Sequence, residues 1–160
     1  MSITISPITP EDNPIIATII RKTLEEFNAN KCGTVYYDAS TDHLFELFSK
    51  ERSGYFIARS GNTIVGGGGF FPSDGLPEDT CELVKMYLLP EARGIGTGAQ
   101  LILKAMEGAR AAGFKRMYIE TMPELQKAMS VYEKFGFAYL DGPMGNTGHH
   151  GCSIWMCGNL

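Results

Sequence analysis

The chain has 160 residues, of which 44% are hydrophobic, 20% charged and 11% aromatic, with a formal net charge of -4. That length and balance suit one domain over residues 1–160, able to bury a core without staples, and exclude a disordered chain. No global basic field, no charged and apolar leader in "MSITISPITPEDN" and no stretch near ~18 apolar residues are present, so neither nucleic acid nor membrane is expected as a partner and the protein is read as cytoplasmic.

Thr9, Pro10, Glu11 and Asp12 read as a cap, a first-turn proline and first-turn acids, opening a helix that carries Ile15, Ile16, Ile19, Ile20, Leu24 and Phe27 to about Asn28. A shorter helix is predicted after Ser40, Thr41 and Asp42, burying Leu44, Phe45, Leu47 and Phe48. Strands at Tyr55 to Ala58 and Thr63 to Phe71 meet at the turn Ser60-Gly61-Asn62. Inside the second strand, Gly66 to Gly69 weaken the strand but admit a close neighbour: a bulge, another backbone or a ligand.

Thr80 to Leu89 is a third strand, and a helix with Ile102, Ala105, Met106 and Ala109 on one face runs on to Gly113. Phe114 to Thr121 reads as a strand. Thr121 and Glu124 then form a capping box for a helix through Met129, Tyr132 and Phe135, ended by Gly136. Two more strands, Phe137 to Leu140 and Cys152 to Cys157, flank the loop "DGPMGNTGHHG". The predicted order α, α, β, β, β, α, β, α, β, β makes a mixed α/β domain around a central sheet.

The turn "LLPEARGIGTG" sets Gly94, Gly96 and Gly98 at a helix start, where unpaired N–H groups meet the positive end of the helix dipole. Glycines let that backbone approach a phosphate, and Arg93 can add a charged hydrogen bond. No lysine follows Gly98, so this is not a P-loop, and the glycines alternate instead of following G-x-G-x-x-G. The pattern is R-x-x-G-x-G, met by Arg93, Gly96 and Gly98. Downstream, Ala128, Tyr132, Gly136 and Phe137 spell A-x-x-x-Y-x-x-x-G-F.

These two motifs, in this order, resemble the GNAT superfamily of acyl-CoA-dependent N-acetyltransferases. The resemblance implies a mostly antiparallel mixed sheet splayed between its fourth and fifth strands and flanked by about four helices. It implies acetyl-CoA as co-substrate, with the pyrophosphate on Arg93, Gly94, Ile95, Gly96, Thr97 and Gly98 and the pantetheine arm along Met86, Tyr87 and Leu88. Where the superfamily often has an asparagine, three residues before the alanine of the second motif, this chain has Leu125.

Acyl transfer to an amine needs a base, a site for the oxyanion and a proton for the leaving thiolate. The likeness makes Tyr132 the proton donor and places the oxyanion at a backbone N–H near Met86 or Tyr87. Glu82 and Glu120 compete as base or acceptor contact. Strict alternation puts Glu82 on one strand face with Val84 and Met86, while Glu120 ends the next strand, where open sheets place ligands.

The acceptor is expected to be a small-molecule amine or an amino group of a peptide. Phe27, Asn28, Tyr36, Tyr37, His149 and His150 are candidate contacts. His149, His150, Cys152 and Cys157 lack a zinc spacing, so no metal is expected. Exposed edge strands and an apolar tail leave a homodimer open. A rival reading is a non-catalytic acyl-CoA-sensing module that binds a partner protein.

Overall fold

The computed structural model describes residues 2–160. Strands β1 (Ile3–Pro7), β2 (Gly54–Ser60), β3 (Thr63–Phe71), β4 (Thr80–Leu88), β5 (Arg116–Thr121), β6 (Ala138–Leu140) and β7 (Ile154–Asn159) form one sheet. Their order is β1-β2-β3-β4-β5-β7-β6. Every adjacent pair is antiparallel except β4 with β5, which run parallel. Helices α1 (Asn13–Glu26), α2 (Leu44–Leu47), α3 (Thr97–Ala111) and α4 (Gln126–Lys134) complete the fold. None is long and apolar enough to cross a membrane.

The sheet buries both faces. On one, Ile102, Ala105 and Met106 of α3 and Tyr132 of α4 meet Phe70, Leu83, Met117, Ile119 and Met156. On the other, Ile16, Ile20 and Leu24 of α1 join Leu44, Phe48, Tyr55, Ile57 and Ile64. This two-sided burial explains why the strands read as apolar runs more than as clean alternation.

Several boundaries differ from the sequence reading. The strand β1 was not predicted, because five residues with Ile3 and Ile5 alternating are too short to stand out; pairing with β2 over Ile3↔Ser60 to Pro7↔Phe56 makes it a strand. Thr9 and Pro10 open a short 3-10 turn, in which the Asp12 carboxylate accepts a 2.9 Å hydrogen bond from the Thr9 N–H, and α1 begins only at Asn13. Asn13 then ties α2 to α1: its amide donates to Glu46 at 2.9 and 3.0 Å and its oxygen accepts from Phe45 N–H at 2.8 Å.

The Thr121–Glu124 capping box does not form. Thr121 ends β5, a 3-10 turn over Pro123–Leu125 intervenes, and the Glu124 carboxylate pairs with Lys31. Pairing of Thr121 with Ile154 in the sheet won over the local cap, and Pro123 set the start of the turn.

Candidate active site

The glycine run in β3 has a packing cause. A side chain at Gly67 or Gly69 would strike the Tyr55 ring, and one at Gly68 would strike Met86 Sδ. Tyr55 thus crosses β3 from β2 and donates a 2.6 Å hydrogen bond to the Lys85 carbonyl in β4. At that point β4 carries a bulge: Gly69 pairs with Val84 but Gly67 with Tyr87, and Lys85 adopts φ 52. One extra residue inverts the alternation beyond it.

The inversion corrects the strand-face assignment made from alternation. Glu82 and Val84 share a face, but Met86 lies on the other: it packs with the α3 side, whereas Val84 and Tyr87 pack with the α1 side. A period-two reading cannot see a bulge when no glycine or proline marks it.

The same strand opens the cleft. Parallel pairing of β4 with β5 lasts only from Thr80↔Arg116 to Glu82↔Tyr118. Past Glu82 the strands part; β5 stays with β7 up to Thr121↔Ile154 and β4 stays with β3 up to Leu88. A cleft of about 900 Å³ fills the gap, lined by Glu82 to Leu88 on one side and Ile119 to Met122 on the other. Beyond Glu82 the free edge of β4 points its N–H and C=O groups at this space.

One end of the cleft meets the start of α3, where Arg93, Gly94, Gly96, Gly98 and Ala99 line it. Gly94 and Gly96 have φ 73 and 90, and nothing lies within 4 Å of the place a side chain would take. Their left-handed backbone and the open space before it fit a bulky anion at the positive end of a helix of 15 residues. In the first turn, Thr97 Oγ1 is the one buried side-chain polar atom without a hydrogen-bond partner among the described residues. The Arg93 guanidinium is engaged elsewhere, donating to Leu88 O at 3.0 and 2.9 Å and pairing with Glu26 at 2.6 Å.

Where the strands part, four segments bring charge together. Glu82 is 3% exposed. Burial pushes its carboxyl up to about 7, against a 2.5 Å hydrogen bond from Ser73 Oγ. Burial would also raise Glu120, but the neighbouring His149 ring and hydrogen bonds from Thr147 and Tyr118 outweigh it and hold Glu120 below its ordinary value. The Tyr118 bond measures 2.9 Å.

His149 sits between Asp38 and Glu120, with Nε2 2.7 Å from Asp38 Oδ2 and Nδ1 3.7 Å from Glu120 Oε1. Burial alone would lower its pKa; the carboxylates of Asp38, Glu120 and Glu82 raise it to about 9. One atom each from Glu82, Glu120 and His149 lie within 4.8 Å of one another. The buried Lys85 amine reaches the same Asp38 oxygen at 3.4 Å, and burial lowers its pKa. Tyr132 lines the cleft; burial alone shifts its hydroxyl, pushing it up to about 12.

The structure therefore brings together Glu82, Glu120, His149 and Tyr132, with Met86, Tyr87, Leu88 and Phe27 along the same cleft. It does not bring the remaining acceptor candidates there. Asn28 closes the end of α1 with φ 54, Tyr37 is 63% exposed, Tyr36 donates to Glu25, and the His150 ring packs over Gly33. Asp38, Ser73, Lys85 and Thr147 went unnoticed in the sequence. Only Lys85 carried a signal, a lone cation inside the apolar strand "TCELVKMYLL".

Comparison with known proteins agrees with this geometry. Residues 18–137 match the acetyltransferase (GNAT) family. The chain is 42% identical over 155 residues to the uncharacterized N-acetyltransferase YjgM of Escherichia coli, covering 96% of this chain and 92% of that one. It is 32% identical over 123 residues to an IAA acetyltransferase of Azospirillum brasilense, covering 75% and 78%. Its fold is similar to a GNAT-family acetyltransferase of Staphylococcus aureus, with a TM-score of 0.87 at 18% identity over 99% of each chain. It is also similar to the PaiA N-acetyltransferase of Thermoplasma acidophilum crystallised with coenzyme A, with a TM-score of 0.77 at 18% identity over 100% of each chain. The parted parallel strands, the glycine turn and these matches together establish that the chain belongs to the GNAT family of acetyltransferases.

Proposed function

We propose that the protein moves an acetyl group from acetyl-CoA to a primary amine, both substrates being held at once. The carrying observation is the continuous cleft from the glycine turn to Glu82, between strands that separate at that residue. Acetyl-CoA supplies the acetyl group, activated as a thioester. The N–H groups of Gly94, Ile95, Gly96, Thr97 and Gly98 cradle its pyrophosphate, and the free edge of β4 from Met86 to Leu88 pairs with its arm. The N–H groups near Met86 and Tyr87 stabilise negative charge as it develops at the acyl oxygen.

Glu82 takes the proton from the amine, directly or through a water. A carboxyl raised to about 7 is matched to that task near neutral pH, whereas the hydrogen-bonded Glu120 is a weaker base. Glu120 instead anchors His149 and the loop bearing Thr147. Tyr132 delivers a proton at the opposite side of the cleft; its hydroxyl has no hydrogen-bond partner among the described residues, which leaves it free to donate. Release of coenzyme A thiol, followed across an amine series with acetyl-CoA present, tests the reading. Turnover of some amine is the expected result; acetyl-CoA binding with no turnover of any amine points to a sensing module.

A further inference from the structure

A second chamber of about 300 Å³ lies behind the first. Glu82, Val84, Lys85 and His149 line both, so the two chambers meet at these four residues. A molecule in the second chamber reaches Glu82 without entering the groove that begins at the glycine turn. Resting on the acetyltransferase reading, we propose that this chamber takes the acetyl acceptor and that the acceptor is a free α-amino acid with an apolar side chain.

The charges at this junction select the class. Glu120 is engaged by Tyr118, Thr147 and His149, and Asp38 by His149 at 2.7 Å. Lys85 has only the long 3.4 Å contact to the oxygen that His149 already holds. It is a buried cation, 7% exposed, with a weak partner. An amine without an acid group leaves that charge poorly compensated, and a diamine sets a second cation beside it. An α-amino acid carries its carboxylate one carbon from its amine. Glu82 and Lys85, three residues apart on one strand, each perturb the other's titration and offer a matching pair of charges.

The rest of the chamber suits the remainder of such a molecule. Leu47, Phe48, Phe71 and Val84 give an apolar floor for a side chain. Lys50, whose Nζ is 5.3 Å from the Phe71 ring centre, and Asp74 also line the chamber, one charge of each sign, so Lys85 remains its buried lysine. Lys85 holds φ 52 in the bulge, and its carbonyl is fixed by Tyr55, so the backbone that presents the amine is defined by packing.

The test uses matched acceptors with the intact protein and acetyl-CoA: leucine, leucinamide and 3-methylbutylamine, with the methionine and phenylalanine sets beside them. Free acids should show kcat/KM at least tenfold above their amides and amines in one set or more. Lys85→Met should erase that preference by raising KM for the acid about tenfold while leaving the amide nearly unchanged. Failure of every set to reach a tenfold preference for the free acid overturns the proposal while leaving acetyl transfer intact. If no acceptor is turned over, calorimetric titration of the coenzyme A complex decides separately: leucine, methionine or phenylalanine binding at least tenfold tighter than its amide supports the chamber assignment, and equal or absent binding removes it. The wild-type comparison stands even if Lys85→Met does not fold.

Discussion

The two ends of the cleft are built by different means. At the start of α3, five consecutive residues, Gly94 to Gly98, carry N–H groups with no backbone acceptor, Arg93 N–H being held by Pro90 O, and the geometry depends on left-handed glycines at 94 and 96. Where β4 and β5 part, Asp38, Glu82, Lys85, Glu120 and His149 come from two loops and two strands; ion pairs between side chains join all but Glu82, which accepts a hydrogen bond from Ser73. A contiguous backbone device tolerates little change of sequence, while a side-chain assembly can be rebuilt one residue at a time. The first end therefore announces its ligand in a motif, and the second is free to suit a particular acceptor.

The largest effect should come from attacking the backbone end. Gly96→Val puts a β-branched residue at φ 90 and fills the space before it. Acetyl-CoA at 100 times its dissociation constant stabilises a protein by about 2.7 kcal/mol, and a thermal melt should show that stabilisation in the wild type and none in the variant. Full retention of binding by Gly96→Val would mean the anion is held elsewhere.

Tyr132→Phe should lower turnover on the order of 10²-fold with acetyl-CoA affinity nearly intact, because a proton donor acts in the transition state. Steady-state kinetics and a melt with acetyl-CoA separate the two quantities. A loss confined to affinity would assign Tyr132 to binding.

At the side-chain end the effects should be smaller and pH-dependent. Glu82→Gln should cut turnover about tenfold at neutral pH, with the defect shrinking as pH rises and more acceptor is already neutral. Its stability should move the opposite way. The folded Glu82 carboxyl titrates near 7, above its ordinary 4.5, so its contribution is complete below 4.5 and is lost as pH rises through about 7. Glu82→Gln, which cannot ionise, should therefore gain melting temperature relative to the wild type between pH 5 and pH 8. Glu120→Gln should chiefly raise the acceptor KM by loosening His149. If Glu120→Gln shows the pH-rescued defect and Glu82→Gln does not, the base is Glu120.

This contrast also explains what could be read in advance. Helices α1 and α3, the glycine turn and Tyr132 follow local rules of periodicity, capping and motif, and they were legible in the residues. The base was left level between Glu82 and Glu120 because burial and partners separate them: Ser73 for one, and Tyr118, Thr147 and His149 for the other. Asp38 was hidden in a loop whose neighbours Tyr36 and Tyr37 looked more chemically eloquent but do not line the cleft. The face of Met86 was misread because the bulge at Lys85 is imposed by tertiary packing.

The smallest predicted effect probes what the two ends share. The bulge sends Met86 to the α3 side of the sheet while keeping Val84 on the α1 side, and the Lys85 carbonyl within it is fixed by one buried hydrogen bond, from Tyr55 at 2.6 Å. Tyr55→Phe keeps the ring that fills the groove over Gly67 and Gly69 and removes only the hydroxyl. It leaves a buried carbonyl without this donor, at a cost of about 1 to 3 kcal/mol. A urea melt should register that loss with an unchanged slope, since no extra surface is exposed. If the bulge positions both ends, KM for acetyl-CoA and KM for the acceptor should rise together by a few fold. If only the acceptor KM rises, Tyr55 steadies Lys85 alone and the backbone end is independent of the bulge. A variant as stable as the wild type, with both constants unchanged, would show that β3 and β4 hold the bulge without Tyr55, and that the glycine run merely accommodates the ring.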